Sequence, residues 1–314
     1  MLVLGGGIVL GVLNVPKNNH ETSQIRMGLQ EFTNPLLECE VGSEAISSSK
    51  EDFSADLAPF LDTLKEKLRV SEIAVYFRDL NNGPIIGIGQ NIPFAPASLL
   101  KLPIMMSYLS HAEDNPGSLD KKIEFKHIAP LLPDQQDILS EKHIEVGRIY
   151  SINELIEYMI KYSDNQAMVL LYEGLPIAEQ IDLYTRIGVD SRALTDATKT
   201  LSVKQYSIFF RVLFNASYLS RKDSERALKL LAETNFDQGL RAGVPRAIPV
   251  AHKFGERQFG RELQQLHDCG IVYYPGHPYL LCIMTRGSET TSLTKAIVEV
   301  SKFVYGKIDT QYGR

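Results

Sequence analysis

The sequence lacks any concentration of positive charge. Its 33 Lys and Arg are scattered among 38 Asp and Glu over 314 residues, for a formal charge of −5, so it offers a nucleic acid neither a basic stripe nor a basic tail. Cysteine is scarce: Cys39, Cys269 and Cys282 are too few for a disulfide scaffold, and no C-x-x-C spacing marks a zinc or redox motif. Histidines such as His127, His143 and His252 show no H-x-x-x-H or mixed Cys and His spacing. No metal or organic cofactor is therefore implied. The apolar run over residues 1–16, MLVLGGGIVLGVLNVP, falls short of the ~20 residues of a bilayer-spanning helix, and lacks a basic leader and an A-x-A-like cleavage site. With the polar KNNHETSQ behind it, the run reads as an export segment or signal anchor, the alternative being a buried terminal strand or helix. Glu38 before Cys39, far beyond the run, argues against lipidation there.

What is present is an ordinary globular composition, 44% hydrophobic and 23% charged, in a chain long enough for one enzyme of two packed lobes. Residues 17–52 read as a polar linker ahead of a folded domain over 53–314. Phe53, Leu57, Phe60, Leu61, Leu64 and Leu68 recur at helical spacing, with Asp52 or Ser54 as the cap. EIAVYFRDL and PIIGIGQ, joined by NNGP, predict a hairpin. A helical lobe of about 98–240 follows. IPVAHKFG, GIVYY and PYLLCIMTRG then return to strand-like pattern before a last amphipathic helix. Strands at both ends with helices between them predict an α+β fold: one sheet from distant segments, an inserted all-helical lobe, and a cleft between them. Cys269 and Cys282 flank the turn PGHP and could form a disulfide, although a pair of unbonded core cysteines is the favoured expectation.

Three short elements carry candidate chemistry. In PASLLK, Ser98 and Lys101 stand three apart at a helix start, where they face the same way and can share a hydrogen bond. A serine hydroxyl needs a neighbouring base, and a lysine whose pKa is lowered by burial or by other cations can be that base. Ser47 with Lys50, Ser118 with Lys121, and Ser292 with Lys295 match the same spacing. Only Ser98 sits at a predicted strand-to-helix junction, where backbone N–H groups could receive an oxyanion. Ser163-Asp164-Asn165 breaks an apolar helical pattern, as loop or cap residues do. His252-Lys253-Phe254-Gly255-Glu256 closes a β-like run with a cation beside a glycine, which suits an acidic substrate and a close backbone approach.

In that order, S-x-x-K, S-D-N and K-x-G resemble the signature of class A β-lactamases and penicillin-binding proteins. The resemblance runs from about residue 53 to the C-terminus, through LRAGVPRAIPVAHKFGE and TRGSETTSLTKAIVEV. It implies a β-lactamase/transpeptidase-like α/β (α+β) fold with an antiparallel sheet. It also implies that Ser98 is acylated, that Lys101 is base or proton relay, and that Ser163 passes a proton to the leaving nitrogen. Asp164 would be structural and Asn165 would bind the acyl-side amide. Lys253 would attract a carboxylate, and the backbone N–H groups of Ser98 and Glu256, next to Gly255, would form the oxyanion hole.

Two departures stand out. No E-x-x-L-N glutamate occurs between Asn165 and Lys253. Glu173 and Glu179 read as solvated helix charges, and Asp190 and Asp196 have little to favour them as substitutes. Phe254 replaces a threonine or serine whose hydroxyl helps hold a substrate carboxylate in the family, with Arg257 or Arg286 as candidate compensation. The resemblance thus implies a serine hydrolase that opens the β-lactam amide and deacylates slowly. The alternatives are a D,D-carboxypeptidase or transpeptidase acting on peptidoglycan stems, and a non-turnover β-lactam sensor or wall-binding domain. Both substrates lie outside the cytoplasm, so a periplasmic or extracellular location, with a possible membrane tether through residues 1–16, is expected.

Overall fold

The computed structural model describes residues 20–43, 47–81, 84–129, 138–195, 200–260 and 262–313; the apolar run 1–16 and Asp196 lie outside them. Two strands, β1 (His20–Arg26) and β2 (Leu36–Ser43), pair antiparallel ahead of helix α1 (Ser47–Leu68). Phe53, Leu57, Leu61 and Leu64 form the buried stripe of α1. β3 (Val70–Asp79) and β4 (Ile85–Ile88) make the hairpin that the sequence predicts around NNGP.

The chain then enters the helical lobe through a 3-10 turn, Ala97–Leu100, and α2 (Lys101–Asp114). A small pair, β5 (Lys122–Glu124) and β6 (Ile149–Ser151), precedes α3 (Ile152–Lys161), α4 (Asn165–Gly174), α5 (Ile177–Ile187), α6 (Arg192–Thr195), α7 (Val203–Phe214) and α8 (Arg221–Ala232). The return to the sheet runs through β7 (Val250–Phe259), β8 (Leu263–Val272) and β9 (Tyr279–Gly287), and α9 (Thr290–Tyr312) closes the fold.

The main sheet has the order β4-β3-β9-β8-β7 with every neighbour antiparallel, so residues from both ends of the domain build it. β9 is buried on both faces apart from Arg286, which explains its unbroken apolar run. One face packs on α1 and α9 through Leu57, Leu61, Ile283, Val300 and Val304. The other meets the helical lobe through Leu102, Met105, Leu155, Met159, Phe209 and Met284. β7 lies at an edge of the sheet, against the 3-10 turn that bears Ser98.

Two expectations are corrected. Cys269 and Cys282 are direct cross-strand partners on β8 and β9 and are joined by a disulfide, not left as core thiols. Facing positions on adjacent antiparallel strands bring two Cβ atoms within bridging reach.

Within the stretch 17–52 read as a linker, residues 20–43 and 47–52 are described, and they hold two strands and the start of α1. α1 starts at Ser47, ahead of the predicted Asp52 or Ser54 cap, and the connection between β1 and β2 is seated on the helical lobe. Glu225 accepts hydrogen bonds from Phe32 N (2.7 Å), Thr33 N (2.9 Å) and Thr33 Oγ1 (2.7 Å). Asn34 N donates to Phe214 O (2.8 Å), and Phe32 packs edge-on against Tyr273 at 5.1 Å. Ladder bonds and the Glu225 and Phe214 contacts fix this segment, and its polar composition reads as a spacer because these backbone bonds leave no periodic signal.

Candidate active site

The turn bearing Ser98 is fixed from several sides. Ala95 N donates to Gln265 Oε1 (2.9 Å), and His267 Nε2 lies 3.0 Å from Ala95 O while its Nδ1 faces Thr285 N at 3.3 Å. That pattern suits a neutral ring with its proton on Nε2, and burial lowers the His267 pKa to about 4. Tyr206 Oη donates to Leu99 O (2.9 Å). Ala97, just before Ser98, has φ +50°, a left-handed conformation that costs roughly 1–3 kcal/mol in a residue with a side chain. The surrounding bonds hold it there.

Gly255 on β7 makes the closest approach to this turn. A Cβ at Gly255 would come within 2.7 Å of Pro96 O and 3.0 Å of Leu99 N, so only glycine lets the strand lie flat against the serine. Glu256 follows on the same strand, which brings its backbone alongside the Ser98 turn.

Ser163-Asp164-Asn165 occupies the junction of α3 and α4. Asp164 is the N-cap of α4: its Oδ1 accepts from Gln166 N (2.7 Å) and Ala167 N (3.1 Å), and its Oδ2 accepts from Ile144 N (2.7 Å). Ser163 is a second left-handed residue, φ +56°. The cap and the strained residue turn the Ser163 hydroxyl toward two lysines. Lys101 Nζ lies 3.0 Å and Lys253 Nζ 3.1 Å from Ser163 Oγ. Lys101 Nζ also donates to Ser163 O (2.5 Å) and to Asn165 Oδ1 (2.7 Å). None of these bonds goes to Ser98, so the lysine expected to pair with the serine one turn away is instead held on the S-D-N corner.

Both lysines are wholly buried. Burial drives the Lys101 pKa well below its usual range, Lys253 pushes it further down, and Asp164 partly opposes the shift. Burial likewise lowers the Lys253 pKa to about 7, with Asp268 opposing. An amine brought toward neutrality beside a hydroxyl can accept and return a proton. Lys253 also donates to Phe254 O (3.0 Å), and its ammonium sits 4.2 Å above the Phe254 ring. That ring stacks on Phe236 at 4.0 Å. Behind the strand, His252 Nδ1 lies 2.9 Å from Asp268 Oδ1, and both residues are buried.

The structure therefore brings Lys101, Ser163, Asn165 and Lys253 into one hydrogen-bonded cluster and packs the turn that bears Ser98 against Gly255 through Pro96 and Leu99. Of the residues considered for compensation, Arg257 keeps a buried Nε with no hydrogen-bond partner among the described residues, and the others go elsewhere. Arg286 is bonded to Glu72 and to Pro93 O (2.7 Å), and Arg257 lies over the Phe259 ring at 5.2 Å. Glu179 pairs with His111 (3.2 Å), Asp190 with Arg192 (2.8 Å), and Glu173 is exposed. Sequence reasoning missed the supports Gln265, His267 and Tyr206. The only signal for the first two is that polar residues interrupt a strand otherwise rich in apolar ones.

Comparison with known proteins agrees with this geometry. The profile of the β-lactamase enzyme family matches residues 57–308. A β-lactamase of Bacteroides uniformis is 22% identical over 245 residues, 72% of this chain and 82% of that protein. Among solved structures, a class A β-lactamase from Mycobacterium abscessus superposes with a TM-score of 0.66 at 22% identity, covering 80% of this chain and 98% of that one. PBP-A does so with a TM-score of 0.65 at 22% identity, covering 81% and 97%. With a profile match across most of the chain and a shared fold, this protein belongs to the β-lactamase enzyme family.

Proposed function

We propose that the chain is an active-site-serine hydrolase that opens the β-lactam amide through an acyl-enzyme on Ser98 and deacylates slowly. The observation that carries this reading is the Ser163 hydroxyl bridging Lys101 and Lys253 at 3.0 and 3.1 Å. Ser98 Oγ attacks the carbonyl carbon and its proton passes to the Lys101 amine. The C–N bond breaks, Ser163 gives its proton to the leaving nitrogen, and the Lys101 ammonium restores it. The oxyanion is received by the backbone N–H groups of Ser98 and Glu256, a contribution of ~10²–10³ in rate per donor. Asn165 holds the acyl-side amide and Lys253 keeps Ser163 oriented. Hydrolysis of the resulting ester needs an activated water. Among the described residues, Glu179 and Asp190 are engaged elsewhere, and a step without a base would forgo roughly 10²–10⁴ in rate.

A D,D-peptidase is the second reading, favoured by the likeness to PBP-A, a point mutant of which forms an acyl-enzyme complex with penicillin G. Action outside the cytoplasm is part of the proposal. It is supported by the apolar run at residues 1–16 and by the Cys269–Cys282 disulfide, a bond that persists in oxidising compartments. Intact-protein mass after mixing with benzylpenicillin and a chromogenic cephalosporin, followed from minutes to hours, tests it. An adduct absent from Ser98→Ala that outlasts product formation is the expected result. Rapid loss of the adduct with steady product would overturn slow deacylation. Absence of any adduct would overturn the substrate class.

A further inference from the structure

Residues 93–95, which lead into the Ser98 turn, run beside a strand whose backbone is already engaged: β8 is paired to β7 on one side and to β9 on the other. Among the described residues, this segment meets ladder bonding only at the isolated Phe94–Leu201 bridge. Side chains supply the rest. Arg286 Nη2 donates to Pro93 O (2.7 Å), Ala95 N donates to Gln265 Oε1 (2.9 Å), and His267 Nε2 donates to Ala95 O (3.0 Å). We propose that His267 is a positioning residue for acylation: its bond to Ala95 O, together with the Gln265 bond to Ala95 N, holds the left-handed Ala97 and so aims the Ser98 backbone N–H at the oxyanion. The inference rests on the acylation of Ser98 proposed above.

Gln265 and His267 stand two apart on β8 and project from one face of the sheet. His267 is the direct cross-strand partner of Gly255. The bare glycine lets the turn settle on that face, where a Cβ would meet Pro96 O at 2.7 Å, and the ring on the neighbouring strand takes hold of the turn. The ring is itself fixed. Thr285 N donates to its Nδ1 (3.3 Å), Phe94 packs edge-on against it at 5.4 Å, and it is wholly buried. Burial lowers its pKa to about 4, which leaves it neutral at pH 7 with one proton, on the nitrogen that faces Ala95 O. Two residues beyond Ala95, Ala97 keeps φ +50°, a conformation that persists in a residue with a side chain only where the surroundings impose it. With Ala95 tied at both its N–H and its C=O, the chain entering Ala97 cannot turn to relieve that strain. The Ser98 N–H belongs to the peptide that follows Ala97, so its direction is set by the Ala97 dihedral angles.

The test rests on two polar replacements. Glutamine at 267 carries an amide N–H to about the place of Nε2, whereas asparagine, one bond shorter, reaches only the place of Nδ1. Each variant is compared with the wild type by the rate at which benzylpenicillin labels Ser98, with Ser98→Ala as the blank, and by the stopped-flow infrared band of the ester carbonyl, which moves to higher wavenumber when oxyanion-hole hydrogen bonds weaken. His267→Asn is expected to acylate about 10²-fold more slowly, with the band raised, and His267→Gln to recover most of both. Gln265→Leu, which cuts the other bond to Ala95, is expected to produce the same pair of changes and decides the matter should His267→Asn fail to fold. An unchanged rate in these variants, or a slower one with an unmoved band, overturns the inference while leaving serine acylation intact. No Ser98-dependent label in the wild type overturns the acylation reading and this inference with it.

Discussion

Lys101 and Lys253 are two cations removed from water around one hydroxyl. Neither has a carboxylate as a direct hydrogen-bond partner in this cluster; Asp164 and Asp268 act on them from a distance. The fold tolerates the pair because each loses its proton more readily than a solvated lysine. Part of the Lys101 shift comes from Lys253, which gives the coupling a sign. Removing a positive neighbour favours the charged form of Lys101, so its pKa rises. In Lys253→Met the alkaline-going limb of the acylation rate, measured with an uncharged acyl donor, is expected to move to higher pH. A lower plateau with an unmoved limb would mean that Lys253 only props Ser163.

At the scale of elements, the site is the meeting of a strand, a turn and a helix cap, and Gly255 sets how closely β7 and the Ser98 turn meet. Gly255→Ala forces the added methyl against Pro96 O and Leu99 N, both backbone atoms that cannot swing aside. Acylation is expected to fall by about 10²-fold, the loss of an oxyanion donor's alignment, with the circular dichroism spectrum retained. An unchanged rate would place the oxyanion elsewhere.

The sheet, the helical lobe and the three boxes are legible in the sequence because each has a periodic or punctuating signal. β3 and β4 flank turn residues, and Asp164 is a cap where the apolar pattern breaks. β1 and β2 are paired with each other, and their polar composition hid them, although Leu37, Cys39 and Val41 alternate with Glu38 and Glu40; the anchoring of their connection through Glu225 has no sequence signal. The attachment of Lys101 to the S-D-N corner is likewise invisible, since spacing of i to i+3 within a helix says nothing about a partner 62 residues away.

For the whole molecule, the buried titratable groups set opposing slopes of stability with pH. The His267 pKa is about 4 folded against 6.5 unfolded, so its contribution is lost as pH falls through that window. The Lys253 pKa is about 7 folded against 10.5 unfolded; between these the unfolded chain binds more protons and stability rises with pH. Burial raises the pKa of Tyr184, Tyr206, Tyr273 and Tyr279 above 10.0, so beyond that pH the unfolded chain loses protons that the folded one keeps, and stability falls. Urea midpoints are expected to climb from acid to neutral and to peak at about pH 9–10. A steady decline above pH 7 would show that the lysines are not desolvated as the structure has them.

The Ser163 hydroxyl is bonded to one lysine 62 residues before it and to another 90 residues after it. Only a fragment that spans residues 101–253 or more contains all three groups, and their meeting needs β7 to be seated against the Ser98 turn. The capacity to be labelled at Ser98 is thus a property of completed folding. In a mixed population, the labelled fraction counts native molecules, whatever compound does the labelling.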